Sequence, residues 1–167
     1  GERIADLCAA PGGKTAQLAA AGAQVVAVER DARRIPRLRE NLARLRLAAE
    51  VVEADATQWR PAELLDAVLL DAPCTATGTI RRHPDVPHLK RAKDVAKQAA
   101  LQRALLHHAA TLVRPGGRIV FATCSLQAEE GEDHMKDLPP GLRAVETRRT
   151  TPDMGMDGFF IARLERE

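Results

Sequence analysis

Residues 3–31 read RIADLCAAPGGKTAQLAAAGAQVVAVERD, and their order decides the fold. A short apolar run (Arg3–Leu7) meets a glycine-containing loop. An alanine-rich segment with helical spacing (Lys14–Ala21) follows. A second apolar run (Gln24–Val28) then ends on an acid, Glu29. Strand, tight loop, helix, strand and terminal acid is the opening unit of an open α/β sheet. In "DLCAAPGGKT" (6–15), Gly12 and Gly13 let backbone N–H groups approach a ligand. The loop lacks the spacing of a dinucleotide fingerprint, and it lacks the first glycine of a P-loop. Phosphate binding is therefore not the leading inference.

The same alternation continues outward. Further strand-like runs are Glu50–Glu53, Asp66–Leu70, Arg118–Thr123 and Gly158–Leu164. Several are apolar on both faces, as in parallel sheets covered by helices. Ile35–Leu47 carries Leu38, Leu42 and Leu45 at helical spacing, with Pro36 in its first turn. Asp94–Val113 is a second amphipathic segment, stopped by "RPGG" at 114–117. These elements predict an α/β sandwich with a mostly parallel sheet, whose ligands sit beyond the carboxyl ends of the strands.

Acids recur at those ends. Glu29 stands where a carboxylate binds ribose hydroxyls, about 20 residues past a glycine loop. Asp55, in "VEADA", is placed for an adenine amino group, and Asp71 ends the fourth strand. Each alone would be a solvated turn residue or a helix cap. Together with loop residues Cys8, Ala9, Ala10, Pro11, Gly12, Gly13 and Lys14, they point to an adenosine-type ligand. An acid-lined pocket suits a cationic sulfonium better than a pyrophosphate, which favours S-adenosylmethionine over a dinucleotide.

The chain has 167 residues, enough for one domain, with 45% hydrophobic and only 2% aromatic residues. The core must come from Ala, Leu, Val and Ile. A formal net charge of +2 is too small to mark a polyanion partner, so any nucleic-acid contact is local. Three cysteines without a C-x-x-C pair read as free thiols of a reduced, cytoplasmic protein, with no metal. No apolar run is long enough to span a bilayer. The chain opens directly on a strand, as the catalytic part of a longer polypeptide would.

Two of the cysteines follow strand-like runs. Cys74 lies in "DAPCTATGTIRRHPD" (71–85) and Cys124 in "FATCSL" (121–126). Their polar neighbours Thr75, Thr77, Thr123 and Ser125 are not core-like. Cys8 reads as a small core residue whose backbone alone could touch a ligand. The stretch 79–97 is basic and adjoins Cys74. Arg81, Arg82, Lys90 and Arg91 are candidate phosphate contacts for RNA, against the blander reading of a solvated loop. Trp59 reads as a packing residue.

The stretches "DLCAAPGGKT", "VERD", "EADA", "DAPCTATGTIRRHPD", "RPGGRIVFATCSL" and "DGFFIARL" resemble the RNA (cytosine-5)-methyltransferase family. The likeness is strongest to its bacterial members acting on 16S ribosomal RNA, and the stretches follow family order over most of the chain. The resemblance implies a Rossmann-like fold with a seven-stranded, mostly parallel sheet flanked by helices. It implies one catalytic domain over residues 1–167, monomeric, without the family's amino-terminal RNA-binding region. It implies S-adenosylmethionine as methyl donor and RNA, of the ribosomal class, as substrate. Cys124 then attacks the base, Cys74 releases the product, and Asp71 touches the target base. The spacing alone does not separate the two thiols, and in DNA enzymes of this chemistry the Pro-Cys thiol is the nucleophile. Lys14 would lower a nearby thiol's pKa or else face solvent. Alternatives are the same fold acting on another substrate such as tRNA, or an inactive RNA- and cofactor-binding module. Asp71-Ala-Pro-Cys74 argues against exocyclic-amine methylation, which goes with Asn/Asp-Pro-Pro-aromatic. The segment after "TCSL" is shorter than the family pattern.

Overall fold

In a computed structural model, which describes residues 1–167, strand and helix alternate as expected. The elements are β1 (Arg3–Leu7), α1 (Gly13–Ala20), β2 (Gln24–Glu29), α2 (Ile35–Leu45), β3 (Glu50–Glu53) and β4 (Leu65–Asp71). A short α3 (Val86–Leu89) and a long α4 (Ala92–Leu112) lead to β5 (Val113–Thr123). The chain closes with β6 (Leu142–Thr150) and β7 (Phe159–Arg166). The single seven-stranded sheet has the order β3-β2-β1-β4-β5-β7-β6. β3 to β5 pair in parallel, and β7 joins β5 and β6 antiparallel. The chain leaves β1 towards β3 and returns to β4 on the other side, so a crevice opens beyond the carboxyl ends of β1 and β4.

The central strands are apolar on both faces because both faces are covered. Leu105, Leu106, Ala109 and Leu112 of α4 join Leu70, Ile119, Phe121 and Leu164 of the sheet in the main core. On the other face, Leu38 and Leu42 of α2 meet Ala9, Ala10, Ala16 and Ala27. Alanine at four of these positions brings the glycine loop close to the helix. Burying Leu38 contributes about 1.5–3 kcal/mol.

Several boundaries differ from the sequence expectation. β6 carried no strand signal, because at this sheet edge most of its side chains face water and the apolar alternation is lost. α2 ends at Leu45, with Arg46 in the left-handed region, and Leu45 is exposed rather than on the buried stripe. α4 starts at Ala92, where the Asp94 carboxylate accepts the Arg91 N–H at 2.9 Å within the first turn. α4 stops before "RPGG" as expected, but extended backbone already begins at Val113 and runs through those residues.

Candidate active site

The register of two neighbouring strands builds the centre of the site. Asp71 at the end of β4 stands opposite Ala122 of β5. Three residues past Asp71 and two past Ala122, the chain therefore reaches the same level with a cysteine on each loop. Cys74 Sγ and Cys124 Sγ lie 3.4 Å apart. The Gly78 N–H donates to the Cys124 carbonyl at 2.9 Å, and the Gly158 N–H donates to the Gly78 carbonyl at 2.8 Å. A Cβ on Gly78 would sit 1.9 Å from the Gly158 carbonyl oxygen and 2.9 Å from that of Cys124. Only glycine fits this three-chain seam.

The two thiols are electrostatically unlike. The Cys74 S–H directed at Cys124 lowers the Cys124 pKa, with a smaller contribution from the Lys14 ammonium. The same bond, with burial, pushes the Cys74 thiol up. Either sulfur can donate in this contact; with Cys74 donating, Cys124 is the more acidic of the two thiols. Lys14 does not face solvent freely. Its Nζ donates to Asp71 Oδ2 at 2.6 Å, beside the thiols. Cys8 is held apart from this chemistry, since burial pushes its thiol to about 12.

The crevice beyond β1 and β2 contains a cavity of about 200 Å³. Cys8, Glu29, Asp55, Ala56, Pro73 and Leu105 are among the residues lining it. Glu29 is buried, and its carboxylate accepts the Ala10 N–H at 3.1 Å and the Asp31 N–H at 2.9 Å. Asp55 accepts the Thr57 N–H and hydroxyl at 2.9 and 2.7 Å; these bonds hold its pKa below the usual carboxylate range. Arg34 and Asn41 of the α2 region donate to the carbonyls of Ala10 and Pro11. The loop thus keeps its shape through partners on β2 and α2.

Gly12 acts differently from expectation. Its N–H donates to the Ala9 carbonyl at 2.8 Å, so it closes the turn instead of pointing at a ligand. Its φ of +98° and the Leu38 side chain, 2.4 Å from a would-be Cβ, require glycine there. Nothing lies within 4 Å of a Cβ on Gly13, so that residue faces open space. A larger groove of about 1030 Å³ lies between α2 and the amino ends of β2 and β3, away from the thiols and the strand-end acids.

The basic stretch divides. Arg81 donates to the Gly155 carbonyl, and Arg82 donates through Nε and Nη2 to one oxygen, Asp157 Oδ2, at 2.8 and 2.6 Å. These two arginines bind the 152–157 segment to the site rim. Lys90 and Arg91 are exposed. The sequence holds a second basic stretch that the expectation passes over: seven arginines between Arg30 and Arg46 against Asp31 and Glu40. Three of them pair locally, Arg33 with Asp31, Arg34 with Glu29 and Arg37 with Glu40. Trp59 is partly buried against the main core, as its sequence context suggested.

Two acids escaped the sequence reading. Asp6, at the end of β1, is buried beside the glycine loop; Oδ2 accepts the Thr15 hydroxyl at 2.6 Å and Oδ1 has no partner. The strand-end pattern that flagged Glu29 and Asp71 applies to it equally. Glu130 is fully buried and accepts bonds from the loops of both thiols. Its context, "QAEEGED", reads as a solvated acidic run, and no sequence signal marks it.

The model of the 16S rRNA methyltransferase RsmB/F family matches residues 1–139. Over its whole length the chain is 44% identical to the Vibrio cholerae protein named ribosomal RNA small subunit methyltransferase B, of which it covers 42%. It therefore spans less than half the length of such curated relatives. The crystal structure of NSun6 from Pyrococcus horikoshii with SFG superposes with a TM-score of 0.91 at 30% identity. That match covers 99% of this chain and 48% of the other. A methyltransferase homologue from the same organism superposes with a TM-score of 0.82 at 28% identity, over all of this chain and 62% of the other.

Proposed function

This chain belongs to the 16S rRNA methyltransferase RsmB/F family, and on that premise we propose that it methylates carbon 5 of a cytosine in RNA, using S-adenosylmethionine. The substrate class follows the names of its relatives, and Cys124 is the nucleophile. One observation carries the proposal: two thiols from different loops lie 3.4 Å apart beside Asp71. A lone buried cysteine is a packing residue; a converging pair with unequal acidity is a reactive arrangement.

The crevice residues suit the methyl donor. Glu29 retains carboxylate capacity for ribose hydroxyls, Asp55 stands near the adenine position, and Val28, Ala56, Pro73 and Leu105 give apolar walls. Bound there, S-adenosylmethionine supplies an electrophilic methyl on a sulfonium. The protein's own groups do the rest. Cys124 thiolate adds to carbon 6 of the cytosine, and the electron pair of the 5,6 double bond moves to carbon 5, which takes the methyl. Cys74 then removes the carbon-5 proton. The electrons restore the double bond and expel the Cys124 thiolate. The order of events fits the electrostatics. While Cys124 is a thiolate, Cys74 is held protonated against it. Once Cys124 is a thioether that restraint is gone; Cys74 then releases its own proton to solvent and, as a thiolate, acts as the base. Asp71, oriented by Lys14, accepts a hydrogen bond from the exocyclic amine of the base and so orients the ring for thiolate addition.

The exposed Lys90 and Arg91, which follow the Cys74 loop in sequence, are the candidates to hold phosphates flanking a flipped-out base. The test is incubation of the full-length protein with methyl-labelled S-adenosylmethionine and cytosine-containing RNA, followed by nucleoside analysis. Label in 5-methylcytosine supports the proposal. Label in another nucleoside, or no transfer, overturns it.

A further inference from the structure

The residue after each cysteine leads to the same buried atom pair. Thr75 follows Cys74, and its N–H donates to Glu130 Oε1 at 2.9 Å while its hydroxyl donates to Oε2. Ser125 follows Cys124, and its hydroxyl donates to Oε2 at 2.6 Å. The Gln102 amide of α4 adds a fourth bond to Oε1 at 3.0 Å and a bond to the Pro73 carbonyl at 2.9 Å. Since that amide nitrogen faces two acceptors, its oxygen must accept, and His134 Nε2 donates to it at 2.9 Å. The Thr123 hydroxyl donates to the Glu130 carbonyl oxygen at 2.7 Å, fixing the acid to the end of β5. All four donors to the carboxylate are neutral, and Glu130, Thr75, Ser125 and Gln102 are all buried.

A carboxylate buried without a cation is costly unless its lone pairs are filled, and here they are. An apolar side chain could fill the same volume, so packing alone does not explain the acid. Its two oxygens do something an apolar group cannot: they accept from two loops at once at a fixed angle. We propose that Glu130 is the positioning residue of the thiol pair, tying Thr75 and Ser125 to one point and so setting the Cys74–Cys124 separation. This role rests on the two-thiol chemistry proposed above.

The separation of the sulfurs can be read without methyl transfer. In glutathione redox buffers, two thiols and one oxidised glutathione give one Cys74–Cys124 disulfide and two reduced glutathiones; the equilibrium reports the pair's effective concentration. The full-length protein is compared with Glu130→Gln, Glu130→Ala and the double variant Thr75→Val/Ser125→Ala. Glutamine keeps an oxygen for the Thr75 N–H and offers its amide to the two hydroxyls. It should stay within about threefold of wild type, whereas Glu130→Ala should lose at least about tenfold. Methyl transfer should follow the same order in kcat, with S-adenosylhomocysteine affinity unchanged. Should Glu130→Ala fail to fold, the double variant, which keeps the acid but cuts both hydroxyl links, should show the loss. Unchanged effective concentration in a folded Glu130→Ala or in the double variant overturns the role. A drop in effective concentration alongside a wild-type protein that transfers no methyl to cytosine sinks the function and leaves the positioning role standing.

Discussion

Cys124 and Cys74 ionise as a pair, and the asymmetry between them is the smallest feature on which the chemistry depends. The Cys74 S–H lowers the Cys124 pKa, so Cys124 is expected to react with iodoacetamide at lower pH than an ordinary thiol. Cys8 and Cys74, both pushed up, should stay largely unlabelled near neutrality. Replacing Cys74 by Ala removes the donor and should move the midpoint of Cys124 alkylation to higher pH, as read by peptide mass mapping. An unmoved midpoint would mean that the sulfur–sulfur bond is not what acidifies Cys124. Asp6 gives a second pH signature. Burial, opposed by the Thr15 hydroxyl, raises its pKa from 3.8 to about 6. Between those values the folded chain holds the proton that the unfolded chain has released, so stability falls as pH rises through this window. Wild type should lose on the order of 3 kcal/mol relative to Asp6→Asn between pH 4 and neutrality. Denaturant melts at a series of pH values check this, and parallel pH responses would remove Asp6 as the titrating group.

At the scale of elements, the loops after β4 and β5 make the site, and glycine decides how closely they approach. Gly78 touches the Gly158 and Cys124 carbonyls, so Gly78→Ala should force the three segments apart. A cost of about 1–3 kcal/mol is expected in thermal or denaturant unfolding, together with loss of methyl transfer. Wild-type stability and activity in that variant would contradict the seam. Much of this level was legible beforehand. The strands that carry Glu29 and Asp71 and the one that leads to Cys124 are legible, because buried parallel strands read as apolar runs; β3, which leads to Asp55, is only half-buried, and it is legible from its place in the strand–helix alternation. β6 is not, since an edge strand such as "LRAVETRRT" has no inward face to pattern. Glu130 could not be found either. It lies in an acidic run, and only the three-dimensional return of residues 128–136 beneath the thiols buries it. Arg81 and Arg82 looked free for RNA because nothing in sequence tells a reader that Gly155 and Asp157 come back to meet them.

For the whole molecule, charge and chain length set what this domain can do with RNA. A net charge of +2, with more than half of the lysines and arginines already in ion pairs, makes any contact with phosphates a local one. Lys90 and Arg91 are exposed and form no ion pair, and the double variant Lys90→Ala/Arg91→Ala in the full-length protein should weaken RNA binding. The slope of log affinity against log salt should shrink by about 1 per lost phosphate contact. An unchanged slope in filter binding would place the RNA elsewhere. No helix is long and apolar enough to cross a membrane. The central claim concerns which sulfur bonds to the base, and trapping that bond tests it most directly. Full-length Cys74→Ala and Cys124→Ala are incubated with RNA and S-adenosylmethionine, denatured, and examined by mass spectrometry for a protein–RNA adduct. Cys74→Ala should accumulate an adduct through Cys124, because elimination lacks its base, and Cys124→Ala should form none. An adduct through Cys74 in the Cys124→Ala protein, with none in Cys74→Ala, would contradict the assignment.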